Sequence, residues 1–260
     1  MKNLKIGIAF LFTTILCSCL DTEEKIIVNA DNSGTYSMTI DLGRMLKMAG
    51  SMGADTSNGR VKEKKDTTIY LKDMLDTAKN LTPAERALYK DGVVHVNLDE
   101  ANSEMKIVMS APFKNFTDLR EIKNNLATVV NKLKAFEKAT GEKEKPDNEN
   151  DDMKMGTRSA NPVGDQFTFA AVPGKISSTI TDVTAFKKLV ATDSTLSMMS
   201  QMTGMMGEFN YRTVIVLPKV VNKYTGPGNT VSADKKTITF VTTLTEMLEH
   251  PEKVSYTVEY

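Results

Sequence analysis

The sequence predicts an α+β fold, with a mainly antiparallel sheet built from hairpins and helices packed against it. Three observations predict it. Short β-rich runs come in pairs separated by turn residues, as at Asp31-Asn32-Ser33-Gly34. Apolar residues recur at helical spacing in several longer stretches, the longest running from Thr117 to about Lys138. The two kinds of segment are mixed along the chain, without the regular alternation that builds a parallel sheet.

The fold is expected to follow a removable leader. Lys2 and Lys5 precede an apolar run from Ile6 to Leu16, the charge-then-apolar order of a secretion signal. The run is shorter than the roughly 20 apolar residues that span a bilayer, and polar Asp21-Thr22-Glu23-Glu24-Lys25 follows. Leu16-Cys17-Ser18-Cys19 resembles a lipobox, the pattern that lipoprotein signal peptidase reads. The resemblance implies that residues 1–18 are a cleaved lipoprotein signal peptide and that Cys19 receives the lipid, making a membrane the first expected partner. Each buried methylene contributes about 0.8 kcal/mol and stable anchoring takes two chains or more, which an acylated Cys19 would supply. Residues 19–24 read as an acidic tether. Asp21-Thr22-Glu23-Glu24 resembles the acidic export signal of Bacteroidota lipoproteins. That implies an outer-membrane location, with both the periplasmic face and the cell surface left open.

Two halves follow, 25–139 and 166–260, which read either as one domain or as two. Lys25 to Leu42 reads as a hairpin whose second run alternates Tyr36, Met38 and Ile40 with Ser37, Thr39 and Asp41. Asp41 to Met52 reads as a helix, closed by glycines and the polar stretch after it, and Ile69 to Lys79 as another. Thr82-Pro83-Ala84-Glu85 combines an N-cap, a proline at the first helical position and a reciprocal Glu. A second hairpin should set Val94, Val96 and Leu98 against Met105, Ile107 and Met109. The long helix after Thr117 carries the stripe Leu119, Ile122, Leu126, Val129, Leu133 and Phe136. Residues 140–165 are charged and poor in apolar side chains, the composition of a flexible loop or linker. Beyond them come strands around FTFAAV and KISSTIT, a helical region from Asp182 to Met206, and strands in YRTVIVLPKVV, KTITFVTTL and KVSYTVEY.

Leu217-Pro218-Lys219-Val220, a turn, and Asp234-Lys235-Lys236-Thr237-Ile238-Thr239 are similar to the closing strands of LppM-type lipoproteins. Taken with the hairpin turn at Asp31 to Gly34, the chain resembles a Bacteroidota lipoprotein. The resemblance implies a membrane-tethered β-rich domain and transfers no catalytic residue.

Composition narrows the partners. Loss of the leader removes Lys2 and Lys5, leaving 31 basic against 33 acidic residues, a net charge near −2. No basic stripe is then available to displace counterions from nucleic acid. Cys17 leaves with the leader and Cys19 is acylated, so no disulfide and no thiol nucleophile is expected. His95 and His250 are isolated from any ligand-spaced partner, and Asp147, Glu149, Asp151 and Asp152 lack the glycine and terminal Glu of an EF-hand. Neither a glycine-rich phosphate cradle nor an HExxH helix occurs, and Ser51 is not set in a nucleophile elbow, so no cofactor and no catalytic residue is assigned.

The methionines are the remaining signal. Met45, Met48 and Met52 form one helical stripe, and Met198, Met202 and Met205 lie in a second. Thioethers can bind soft Cu(I), but an adaptable apolar surface for an apolar ligand or a protein partner is the preferred reading. The expected role is a non-enzymatic binding or assembly module. A carrier of an apolar ligand or lipid and a structural envelope protein are the alternatives, and a polymer hydrolase ranks last.

Overall fold

The first described element, β1 (Asp21–Val28), starts four residues earlier than the Lys25 start read from the sequence. In the computed structural model, which describes residues 21–51, 62–76, 78, 81–140, 166–193, 196–197, 200–201, 203–204 and 207–260, the acidic run Asp21 to Glu24 is therefore strand rather than tether. Residues 1–18, read as a leader, Cys19, Met52, Met198, Met202, Met205 and residues 141–165, read as part of a linker, lie outside the described residues.

β1 pairs antiparallel with β2 (Gly34–Asp41) across the expected turn. Asp31 accepts hydrogen bonds from the Ser33 amide at 3.0 Å and its hydroxyl at 2.6 Å, and Asn32 takes a positive φ of 66°. Gly34 is required for a different reason. A Cβ there would stand 1.8 Å from the Ile27 carbonyl oxygen.

β3 (Lys64–Tyr70), β4 (Val93–Asp99) and β5 (Glu104–Phe113) continue the same sheet. β4 and β5 pair as the alternation predicts, with Val94 opposite Met109, Val96 opposite Ile107 and Leu98 opposite Met105. β3 corrects the reading of Ile69 as helical. Ile69 is in the edge strand, and the helix after it, α2, shrinks to Lys72–Leu75. The helix α1 (Gly43–Ser51) lies between β2 and β3 in the chain, and α3 (Pro83–Tyr89) carries the expected capping box of Thr82 and Glu85.

The long helix divides in two. α4 (Phe116–Lys132) begins one residue before the Thr117 start read from the sequence, because Asn115 caps it, accepting from the Thr117 and Asp118 amides at 2.9 and 3.0 Å. Lys134, at a φ of 52°, breaks the helix before α5 (Ala135–Thr140). The buried side of α4 contains Leu119, Ile122, Leu126 and Val129 as read, with Phe116 and Val130 besides.

The second half supplies β6 (Phe167–Val172), β7 (Lys175–Ile180), α6 (Val183–Thr192), β8 (Asn210–Val216), β9 (Lys223–Thr225), β10 (Thr230–Val231), β11 (Thr237–Thr243), α7 (Leu244–Glu249) and β12 (Tyr256–Glu259). β8, β10 and β11 join the first sheet, giving eight strands in the order β10-β11-β8-β1-β2-β5-β4-β3, while β6-β7-β12-β9 form a second sheet of four. The fold is thus α+β with antiparallel pairing dominating. Its exception is β1 with β8, which run parallel and splice the two halves into one sheet.

The large sheet has one well-buried face. Phe240, Thr213, Glu24, Met38, Met109 and Val94 stand side by side across six of its strands. α4 and α5 cover the β2 to β3 side of this face, and the second sheet meets the β11 side, where Phe240 and Tyr256 stack at 4.8 Å. The main core includes Ile26, Tyr36, Val96, Leu119, Ile176 and Ile238, and a smaller cluster gathers Phe186, Leu196, Phe209 and Leu244.

Two substitutions test this account by thermal or denaturant unfolding. Asn115→Ala should cost about 1 kcal/mol through the lost cap. Gly34→Ala should cost about 2 kcal/mol or more, because the new methyl meets rigid backbone rather than a side chain that can swing away.

Candidate functional site in the cavity between the sheets

Where α4, the large sheet and the second sheet meet, they leave a cavity of about 100 Å³. Its wall is built from the first residues of β1 (Thr22, Glu24) and β8 (Tyr211, Arg212, Thr213), the end of β11 (Phe240, Thr242) and one turn of α4 (Lys123, Asn124). Phe167, Phe169, Ser178 and Tyr256 of the second sheet close it from the other side. Arg212 is 36% exposed and pairs at 3.6 Å with Glu23, its register partner on the face of the sheet opposite Glu24.

Strand alternation explains how polar groups reach so deep. Ile26 and Val28 fix the inward phase of β1, and a period of two carries Glu24 and Thr22 to the same face. Thr22, Ser178 and Thr242 are three of the four buried polar residues among the described residues, and all three line this cavity. The fourth, Asp99, is spent on Lys64 and the Asn102 turn.

Glu24 and Lys123 form a salt bridge with side chains only 14% and 10% exposed. The second oxygen of Glu24 accepts from the Tyr36 hydroxyl at 3.0 Å. The Lys123 ammonium also stands 5.3 Å from the Phe169 ring centre and 5.9 Å from that of Tyr36. Opposite charges this close cancel, so the cavity presents a neutral polar floor within aromatic walls. Desolvation by burial, reinforced by the Glu24 carboxylate, holds the Tyr36 and Tyr256 phenols well above their ordinary range. Burial alone pushes Tyr211 up to about 12. The Tyr256 hydroxyl makes no aligned hydrogen bond, although the Thr213 side chain is near enough to favour its ionised form.

Of the six methionines singled out in the sequence, Met45 and Met48 are among the described residues. Met45 and Met48 are half-buried in α1 and neither lines the cavity. The methionine that does line it, Met247, was not singled out. Sequence reasoning also missed Glu24 and Lys123, though each carries a signal. Lys123 interrupts an apolar row, Phe116, Leu119, Leu126 and Val130, at the helical spacing of a core position. His95 sits 3.0 Å from the Thr68 hydroxyl and 3.5 Å from Asp66 on the outer face of the sheet. Among the described residues no cluster of three or more His, Cys, Asp or Glu could hold a metal, and no helix is long and apolar enough to cross a membrane.

Two measurements test the site's electrostatics. Lys123→Met should destabilise the fold by about 3 kcal/mol, because it strands a buried carboxylate, and adding Glu24→Gln should recover most of the loss. For the tyrosines, the neutral phenol is the form that the folded state favours. Their contribution is therefore complete below the unfolded value of 10.0 and is lost as pH rises through the folded values. Phenolate absorbance and unfolding should rise together in that alkaline range, and Tyr256→Phe should lessen the loss.

No protein-family model matches the chain, and no curated protein matches it. Among solved structures, the folded domain of the Mycobacterium tuberculosis LppM protein, determined by NMR, is similar at a TM-score of 0.34 and 9% identity, over 94% of this chain and 91% of that one. A likeness this weak bears on neither site nor role.

Proposed function

We propose that the chain is a non-enzymatic binding module of the cell envelope, tethered to the outer membrane by lipid on Cys19, with the cavity between its two sheets as the binding site. The ligand class that fits is a small amphiphile, or one end of a larger one, with an apolar body and an uncharged hydrogen-bonding group. The observation carrying this reading is the combination of aromatic walls, buried hydroxyls and an internally neutralised ion pair. A charged ligand would have to compete with Glu24 or Lys123 for a partner already in place. A proton-transfer role fits less well, because both oxygens of Glu24 are already engaged by Lys123 and Tyr36.

A partner-binding role has its own support in exposed apolar side chains on the two edge strands of the second sheet, Val172 of β6 at 54% and Tyr224 of β9 at 42%, with Val220 at 46% in the segment before β9.

Binding of N-phenylnaphthylamine, a neutral apolar fluorophore, tests the cavity. Ser178→Leu, which fills it, should weaken binding by about tenfold, the scale of one lost apolar contact, whereas Met45→Gln should leave it unchanged. Equal binding by wild type and Ser178→Leu would retire the cavity and leave these exposed side chains as the better candidate. Metabolic palmitate labelling tests the tether, with label expected on the wild type and absent from Cys19→Ala.

A further inference from the structure

The tether and the fold are almost in contact along the chain. Leu20 alone separates Cys19 from Asp21, so the first Cα of β1 lies within about 7 Å of the lipid-bearing residue. A spacer of one residue stands between the proposed lipid site and the sheet. Whichever end of the sheet holds the start of β1 must face the membrane surface.

Register identifies what shares that end. Asp21 is opposite Asn210, the first residue of β8, which is opposite Thr243, the last of β11. Thr22 is opposite Ile40, next to the end of β2 at Asp41, and Asp41 is opposite Lys106. From this end α1 departs. The Asp41 carboxylate accepts from the Gly43 amide at 3.0 Å, and the Leu42 amide donates to the Met105 carbonyl at 2.7 Å. Further along, Arg44 donates to the Glu208 carbonyl at 2.7 Å and stands 6.0 Å from the Phe209 ring centre. Both sets of contacts come from the first turn of α1, so the start of the helix is held at this sheet end, beside β5 and the residues that lead into β8.

The composition of α1 suits a lipid surface. It has Arg44 and Lys47 but no acidic residue, and Met45, Leu46 and Met48 are only half-buried by the protein. A short cationic helix with adaptable apolar side chains can lie at the headgroup boundary, its lysine stem reaching toward phosphates.

We infer that the sheet end bearing the start of β1, from which α1 departs, is seated on the bilayer, with Met45, Leu46 and Met48 of the first turns of α1 at the headgroup boundary. The cavity belongs to the same half of the molecule, because Thr22, Tyr211 and Thr242 line it from the residues nearest that end. A membrane amphiphile would then enter from the lipid surface. The inference rests on the lipid at Cys19 proposed above.

The test uses the full lipidated protein in phosphatidylcholine–phosphatidylglycerol vesicles whose acyl chains carry bromine. Cys17 leaves with the leader and the Cys19 thiol is consumed, so one introduced cysteine can carry a fluorophore. Lys47→Cys places it on α1 and Ala30→Cys beyond the far end of β1, about 30 Å away at strand rise. Bromolipid quenching should be roughly threefold stronger at 47 than at 30, as expected for a boundary site against an aqueous one. Vesicle-bound protein quenched equally at both positions, or more at 30, overturns the seating while leaving the anchor intact. Loss of palmitate label and of vesicle flotation overturns the anchor and the seating together. Fluorophore binding by the cavity is read separately on the unlipidated Cys19→Ala protein in detergent-free buffer and is unaffected by either failure.

Discussion

The fold depends on β1 being shared. Its eight residues pair with β2 on one side and, in parallel, with β8 on the other, over seven residue pairs each. The first pairing is local, closed by a short turn. The second joins residues nearly two hundred positions apart and must overcome the entropy of that loop, a cost that grows only slowly with length. Once made, it extends the hairpin sheet built by residues 21–113 with β8, β11 and β10. It also brings the second sheet over the face beside α4 and so creates the cavity. Without it the first half would expose an edge along β1, and β8 and β11 would form a hairpin lacking a neighbour.

That long-range pairing is also what the sequence could not reveal. The hairpins were legible because their evidence is local. Asp31 to Gly34 offers turn chemistry, and Val94, Val96, Leu98 against Met105, Ile107, Met109 gives two alternating runs whose phases match. The capping box at Thr82 and the apolar stripe of α4 are local too. β3 was missed because Lys64-Lys65-Asp66-Thr67-Thr68 has the polarity of a loop. Charge and threonine are what an exposed edge strand carries to discourage further pairing. The start of β1 was missed for a related reason. Asp21-Thr22-Glu23-Glu24 looks solvated until a partner strand is found for each side, and the parallel partner leaves no turn motif to announce it.

The candidate site was less legible than the fold, since it is assembled from β1, α4, β6, β7, β8, β11 and β12, which no periodicity connects. Two residues were out of phase with their surroundings and could have raised the question. Glu24 occupies an inward position two before Ile26, and Lys123 occupies a core position of α4. Either alone reads as an error of pattern. As a pair of opposite sign on elements predicted to pack together, they read as a buried ion pair. The methionine stripes drew attention by number, yet abundance of an adaptable apolar side chain specifies no geometry.

A buried pair of this kind is a poor way to gain stability, because desolvation consumes most of the Coulomb attraction and well-packed apolar residues would serve as well or better. Its value lies in what it fixes. Lys123 is held over the rings of Tyr36 and Phe169 and against Glu24, so α4 is tied to β1 and the second sheet at one azimuth. An apolar contact at the same place would tolerate sliding and would close the space by collapse. The ion pair keeps α4 at a set distance and leaves a polar floor that apolar side chains cannot fill without burying charge unpaired. On the proposed anchoring at Cys19, the same strand that carries Glu24 runs within two residues to the lipid. The cavity wall and the proposed membrane attachment then share one strand, with Leu20 alone between Cys19 and its first residue.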